Sequence, residues 1–521
     1  MTIVNLINVL YKMKFLSLLG LCGLIVFICK YGINIMLLLR MAEKTNGDKL
    51  ALVEDEETIT YRQLLSQSEK LSFIFKERYK LQRGQKVAFL CKNHGSLVKS
   101  IFAAAQLGPD IYLLNSDMSQ IQFDQLVKDQ DFDFLVYDVE SSSLIEKSLY
   151  RKERLLSKHD YLPAVNTLLQ TEVEGNFKLP RSSTSKIMLL TGGTTGKSKE
   201  VAYKPSLFHF LNPFLAVLTR LKLLNTKTAY IATPIYHGYG IAILFSYLAL
   251  GKKVVISKGF DAKKACHLIS KHRIEVVTVV PLMIQKMLNH NVEDLRSLVC
   301  IASGGAKLNP KLVDEVFSKL GDVLYNLYGT SEAGLNIIAT PQDLKYSAAT
   351  IGKKIKGVRL NIMDHDKQKV AVGTVGQFCI NNKWSMRNRT STWIEAGDLG
   401  FQDKNGYYFL CGRTDELVVS AGVNVYPIEV EHVLIKHPQI EEVAVVGIED
   451  EDFGQRLKAF VLTRKNEDLT QAALLEWIRP RVARFQVPKE IVFVDHMPYT
   501  PLGKLDKKQL KTEVRKEWIK I

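Results

Sequence analysis

From Thr45 to about residue 350, short β-branched runs alternate with segments of helical character, and few folds accept that pattern. Val87–Cys91, Ala229–Thr233, Lys253–Ser257, Ile274–Val280, Leu298–Ser303 and Val323–Leu327 read as strands. Ser96–Gln106, Gly240–Leu250 and Asp261–Lys271 read as helices, the last with Asp261 as its N-cap, while Pro281 ends one strand and precedes a short helix. The alternation predicts parallel βαβ units with helices on both sheet faces, an α/β fold. Ligands in such folds bind at loops beyond the carboxyl ends of strands, so the chemistry is expected there.

After about residue 350 the strands become shorter and alternate in polarity, and Phe401–Leu410 reads as a hairpin turning on Asn405-Gly406 in a type I′ turn. Beyond Thr414, a helix at Ile428–Lys436, strands at Val443–Gly447 and Lys458–Thr463, and a helix at Leu469–Val482 suggest a small α+β domain. The expected organisation is a hydrophobic N-terminal segment (1–44), a large body (45–414) and a small mobile lid (415–521) jointed at Asp415.

Phe15–Cys29 is an uncharged run of 15 residues that follows Lys12 and Lys14; Lys30 interrupts it, and Tyr31–Leu39 continues apolar up to Arg40. A spanning helix needs roughly 20 apolar residues, so residues 15–39 are expected either to span with Lys30 snorkelling or to lie in the membrane interface. A cleaved signal peptide and a buried core helix are the rival readings. A net charge of +16 favours anionic partners, but the basic residues are dispersed and no nucleic-acid module is visible, so nucleic acid is not expected. Seven cysteines without a CxxC pair argue against a zinc site or disulfide framework and fit a reducing cytosol.

The strand-like Ser185–Leu190 runs into Thr191-Gly-Gly-Thr-Thr-Gly-Lys-Ser-Lys199. Glycines let backbone N–H groups approach an anion, threonine hydroxyls add hydrogen bonds, and lysines add charge, so the stretch reads as a phosphate cradle. It narrowly fails the P-loop pattern: Gly196-Lys197-Ser198 fits the end, but Thr191 stands where the first glycine belongs.

The loop resembles the [ST]-[SG]-G-[ST]-[TS]-G-x-P-K motif of the adenylate-forming superfamily, which includes the AMP-binding acyl-CoA synthetases; Ser198 replaces its proline. Further motifs follow in that family's order across roughly residues 45–515. The resemblance implies that Thr191, Gly192, Gly193, Thr194, Thr195, Gly196 and Lys199 hold the ATP phosphates. Pro234–Gly240 resembles the segment that sets His237 beside the carboxylate site, and Ser303-Gly304-Gly305-Ala306-Lys307 the segment passed by adenine and acyl chain. Tyr325–Gly334 carries the family's Y-G-x-[ST]-E pattern: Tyr328 would stack on adenine, Gly329 would help bind the nucleotide, Thr330 would hydrogen-bond the α-phosphate, and Glu332 would hold Mg2+. Trp393–Asp398 is similar to W-x-x-T-G-D, with Ala396 for threonine and Asp398 on the ribose hydroxyls. Arg413 would reach ribose or phosphate, Asp415 would be the hinge, and Gly422 would lie in the lid's first hairpin. Pro498–Lys504 resembles P-x-T-x-x-G-K, whose lysine drives adenylation.

The implied activity uses ATP, Mg2+ and coenzyme A to turn a carboxylic acid, expected to be a medium- to long-chain fatty acid, into its CoA thioester by way of acyl-AMP. Two alternatives stay open: an acyl-AMP ligase that loads a carrier-protein phosphopantetheine, and a non-catalytic membrane-anchored binding protein. An ATP-using body places the catalytic domains on the cytosolic face of the membrane.

Overall fold

The β-branched runs pair side by side in parallel because each is apolar on both faces and each is followed by a covering helix. The computed structural model describes the chain except residues 1–8, 12–16, 56, 173–177, 183–185, 191–210, 386–392, 421–422, 465–468, 501–502 and 519–521. One sheet runs in the order Glu153–Leu156, Phe134–Tyr137, Lys86–Leu90, Asp110–Leu114, Ile187–Leu190, with every neighbour parallel. A second runs in parallel through Leu50–Val53, Lys253–Ile256, Thr228–Ile231, Val276–Val279, Cys300–Gly304 and Leu324–Thr330. It then turns antiparallel through Gly334–Ala339 and Thr350–Lys354 into the strands of residues 359–413.

Alternate side chains of the second sheet feed separate cores. Val276 packs with Ala229 and Cys300 in the larger core, while Val277 and Val279 join Ile301, Val313 and Val316 under the outer helices. Local signals set the helix starts: the Asp261 carboxylate accepts the Lys264 N–H at 2.8 Å, and Pro281 takes the first position of the helix Pro281–His290. The residue that ends the strand therefore begins the helix.

The apolar N-terminal stretch is not one rod. A 14-residue helix, Leu18–Tyr31, is capped by Ser17 and stops at Gly32, whose φ of +83° favours glycine. Asn34 then caps the helix Ile35–Asn46 by accepting the Leu37 N–H at 3.1 Å. Met36, Leu37, Leu39, Met41 and Ala42 of that second helix belong to the body's main core. Arg40 is buried there, ion-paired with Glu69, 3.0 Å from the Gln106 amide oxygen and 3.7 Å above the Tyr31 ring. An unbroken span over residues 15–39 is thereby overturned: among the described residues no helix is long and apolar enough to cross a membrane. Ser17 and Asn34 are both strong N-cap residues, and Gly32 is a C-cap signal between them, so the break is written in the polar residues rather than the apolar ones.

The lid begins after the 3-10 turn Thr414–Glu416. Its sheet orders Val423–Val425, Val418–Ser420, Gly454–Thr463 and Ile440–Asp450, with Glu490–Phe493 parallel to Gly454–Thr463. Val430, Leu434, Val445, Val461 and Ile478 pack on one face, and Ala444, Val446, Phe460, Met497 and Leu510 on the other. The expected two-residue type I′ turn at Asn405-Gly406 is corrected. Only Gly406 of that pair has positive φ (+80°), and its N–H bonds the Asp403 carbonyl at 3.0 Å. The result is a three-residue loop ending in a left-handed glycine, and the Asp403 carboxylate fixes it by accepting the Asn405 and Tyr407 N–H groups at 3.0 and 2.8 Å.

Candidate active site

Because the six central strands of the second sheet are parallel, the loops after Ile231, Val279, Gly304 and Thr330 all open on one edge. His237 ends the first of these loops, at the start of the helix Gly238–Ala249, with its ring 4.8 Å from that of Tyr236. Beside it the Tyr239 hydroxyl donates to the Val279 carbonyl at 2.6 Å, pinning that ring across the strand ends. Gly304 faces Tyr239: a Cβ on Gly304 would lie 3.1 Å from the Leu327 carbonyl oxygen and 3.7 Å from the tyrosine ring. Gly305 follows at φ +79°, and Ala306 leads to Lys307.

Gly329 sits where a Cβ would fall 2.4 Å from the Gly334 carbonyl oxygen, so only glycine allows Leu324–Thr330 to fold back against Gly334–Ala339. The Thr330 hydroxyl accepts the Ala333 N–H at 3.0 Å and closes that turn. Glu332 stands exposed at its tip. Tyr328, whose ring is expected to meet adenine, is buried, edge-on to Phe378 at 6.1 Å, and donates its hydroxyl to Asp398 Oδ2 at 2.6 Å.

Asp398 and Arg413 are register partners on adjacent antiparallel strands, which sets Arg413 Nη1 at 3.4 Å from Asp398 Oδ1. Burial raises the Asp398 pKa, while the Tyr328 hydrogen bond and then Arg413 pull it back down. Arg413 Nε also donates to Asp415 at 2.9 Å, so the arginine expected to reach ribose or phosphate and the expected hinge are in direct contact.

Lys504 arrives from the lid on a tight turn. The Thr500 N–H donates to the Lys504 carbonyl at 2.8 Å, the Gly503 N–H to the Thr500 carbonyl at 2.8 Å, and the Thr500 hydroxyl accepts the Lys504 N–H at 3.2 Å. Gly503 is left-handed (φ +70°), and a Cβ there would meet Val280 at 2.7 Å. The lid loop is thus seated on the carboxyl edge of the body sheet. Lys504 is exposed. Solvent still reaches its side chain, but the protein crowded around the ammonium, and then Arg413, lower its pKa, with Asp398 acting the other way. Burial, and then the Lys504 charge, bring His237 down to about 4, so its imidazole is neutral near pH 7.

His237, Tyr328, Asp398, Arg413 and Lys504 therefore share one electrostatic neighbourhood. The loop Thr191–Lys199 and Gly422 lie outside the described residues. Tyr239 lies within the Pro234–Gly240 motif, but neither its bond to the Val279 carbonyl nor the buried contact between Tyr328 and Asp398 has a signal in the sequence.

A family model of AMP-binding enzymes matches residues 39–388, and one of the AMP-binding enzyme C-terminal domain matches residues 429–504. The chain belongs to the AMP-binding enzyme family, within the adenylate-forming superfamily of acyl-CoA ligases. It is 26% identical over 479 residues to the 2-succinylbenzoate–CoA ligase of Bacillus subtilis (strain 168), covering 89% of this chain and 95% of that one. It is also 26% identical to the fatty acid–[acyl-carrier-protein] ligase ScoC of Streptomyces coeruleorubidus, covering 88% and 92%. In fold it is similar to the amide bond synthetase McbA from Marinactinospora thermotolerans, with a TM-score of 0.81, 23% identity, and coverage of 92% and 99%.

Adenylate-forming CoA ligases use ATP, Mg2+ and coenzyme A, and the residues here fit the nucleotide and the ion. A carboxylate offers about four lone-pair sites; Asp398 spends one on Tyr328 and another toward Arg413, leaving room for two ribose hydroxyls. Glu332, exposed at the tip of the turn after Thr330, suits an ion that takes one or two carboxylates and otherwise phosphate oxygens.

Proposed function

We propose that this chain activates a medium- to long-chain fatty acid as acyl-AMP and passes the acyl group to coenzyme A, working at the cytosolic face of a membrane. The observation that carries the chemistry is the seating of Lys504 on the body edge beside His237, Asp398 and Arg413. In the first step a carboxylate oxygen of the acid attacks the ATP α-phosphorus and pyrophosphate leaves. Lys504 and Arg413 supply positive charge where negative charge grows, and Asp398 orients the ribose. No side-chain nucleophile is needed. Neutral His237 adds no charge to compete with Lys504 for the incoming carboxylate. In the second step the thiol sulfur attacks the acyl carbonyl, the thiol proton is lost, and AMP leaves with the bonding pair. Thr191–Lys199 are assigned to the phosphates and Asp415 to the pivot by the motif resemblance.

The fatty-acid reading is supported by apolar surface upstream of the family match, which starts at residue 39. On the helix Leu18–Tyr31, Leu21, Ile25 and Val26 are 42%, 62% and 56% exposed, with Cys22 and Cys29 also open, and no acidic residue lies on the helix. Such a face with Lys30 at its end suits shallow insertion into an anionic lipid surface. A carrier-protein acceptor is the second reading, favoured by the likeness to a fatty acid–[acyl-carrier-protein] ligase.

Pyrophosphate release across a panel of straight-chain acids, aryl acids and 2-succinylbenzoate, with and without CoA, tests the reading. Turnover is expected to peak with a chain of intermediate or greater length and to yield AMP with CoA. A preference for 2-succinylbenzoate would overturn the substrate class. Accumulation of acyl-AMP with CoA ignored would favour the carrier protein. Sedimentation with vesicles containing phosphatidylserine tests the membrane placement, with Leu21→Ser/Ile25→Ser/Val26→Ser expected to lose at least roughly tenfold in binding, as burial of three aliphatic side chains requires.

A further inference from the structure

Lys504 is useful only while the lid is seated, and the seating contacts lie away from the reacting groups. The lid helix Pro427–Leu434 carries Glu431, whose Oε1 accepts the Val445 N–H at 3.0 Å and the Lys507 ammonium at 2.8 Å. Its Oε2 faces Lys307 of the body at 3.4 Å. Lys507, three residues beyond Lys504, also reaches Glu416 at the joint at 3.1 Å. A chain of alternating charge therefore runs from the body through the lid to the joint. Just beyond the same lid helix, Lys311 of the body donates to the carbonyls of His437 and Ile440 at 3.1 and 3.0 Å. Those carbonyls lie past the negative end of the helix, where a cation is favoured.

Both body lysines come from one short stretch, the loop after Cys300–Gly304 and the first turn of the helix Pro310–Leu320. The site segment Gly304-Gly305-Ala306 is thus continuous with the lid's seat.

We infer that Lys307 and Lys311, acting on Glu431 and on the carbonyls beyond the lid helix, are positioning residues that dock the lid with Lys504 in the adenylation site.

The charges are arranged to be broken repeatedly. When the lid leaves, Glu431 keeps Lys507 and the Val445 N–H, so no buried carboxylate is stranded. Burial alone would raise the Glu431 pKa, but Lys507 and then Lys307 hold it at about 2, and the larger of these two charges belongs to the lid itself. Lys307, with 36% of its side chain exposed, regains water at small cost. A latch that must open to release AMP and the thioester in each cycle needs that property.

The two-step function above underlies the kinetic arm of the test. In the full-length protein, Lys307→Met/Lys311→Met is expected to slow dodecanoate-driven ATP–pyrophosphate exchange by roughly tenfold, the factor a lost charged docking contact produces. Lys311→Met alone, outside the segment assigned to the adenylate, should slow exchange in the same direction, while its thiolysis of supplied dodecanoyl-AMP by CoA should stay within about twofold, because that step does not need this seat. Lys307→Arg should restore most of the exchange. Glu431→Gln, which keeps the acceptor for Val445, should act in the same direction. Limited proteolysis at Thr414–Glu416 needs no turnover, and the double variant should be cut several-fold faster than wild type. Equal loss of both half-reactions, or unchanged exchange and unchanged cleavage, overturns the inference. Faster cleavage in a protein that activates no acid would sink the functional reading and leave the docking contact standing.

Discussion

The two halves of the site are built differently. The ribose side is made by neighbouring strands: Asp398 and Arg413 are fixed by sheet register, and Tyr328 is locked onto Asp398 by a 2.6 Å hydrogen bond and by burial. The lysine side is delivered from another domain on a glycine turn, held by one hydroxyl, two backbone bonds and a seat against Val280. The first half is preorganised whatever the lid does. The second depends on how the two domains meet, and under the proposed two-step function it would serve the first chemical step and be withdrawn from the next.

Removing Lys504 tests that difference most severely. Lys504→Ala should lower acyl-AMP formation by roughly a thousandfold, the range expected when a charge aimed at the transition state is lost. Thiolysis of supplied acyl-AMP should be nearly untouched. Single-turnover rates of the two half-reactions decide it, and an equal loss in both would mean that the lid does not part the two steps.

A change on the fixed half should not discriminate in this way. Asp398→Asn keeps the Tyr328 bond but removes the charge that faces Arg413 and one ideal acceptor for the ribose. Both half-reactions handle an adenylate, so both should weaken by roughly tenfold to a hundredfold, mainly through the KM for ATP in the first. Loss confined to adenylation would place Asp398 with the lid rather than with the nucleotide.

Most of the fixed half was legible because its motifs are local, while the bond that joins Tyr328 to Asp398 across 70 residues was not. A glycine forced by a close approach, as at Gly329 against Gly334, leaves a pattern within a few residues, and Asp398 and Arg413, 15 residues apart, sit on neighbouring strands of one hairpin. The parallel sheets were readable for the same reason, since β-branched runs and N-caps such as Asp261 act over one element. The lid's seat was not. Lys307 and Glu431 are 124 residues apart, and each looks like an ordinary surface charge until the domains meet. Lys507 shows this well. Within a run that includes Lys504, Lys508 and Lys511 it reads as one more solvated lysine, yet only 18% of its side chain is exposed, between two glutamates. The N-terminal stretch failed in the opposite way. Its apolar run dominated the reading, while Gly32 and Asn34, which split it and turn its second half into core, are single residues.

His237 lies where the fixed and delivered halves meet, and its titration reads out both. Its folded value of about 4 lies below the ordinary 6.5, with burial as the larger cause and the Lys504 charge as the smaller. The unfolded chain therefore binds a proton that the folded chain refuses. The stability that a neutral His237 preserves is fully present above about pH 6.5, declines as pH falls, and is gone once pH passes below about 4. With the ring partly open to solvent, the effect across that window should be about 2 kcal/mol. Urea unfolding at pH 7 and pH 5 should show wild type losing more stability than His237→Asn, after the loss common to both is subtracted. Lys504→Ala should shrink the wild-type loss by the smaller share, because it removes only the lid's charge and leaves the burial. If Lys504→Ala abolished the loss altogether, the histidine would be governed by the delivered half alone, and the division between a fixed ribose side and a withdrawable lysine side would have to be redrawn through His237.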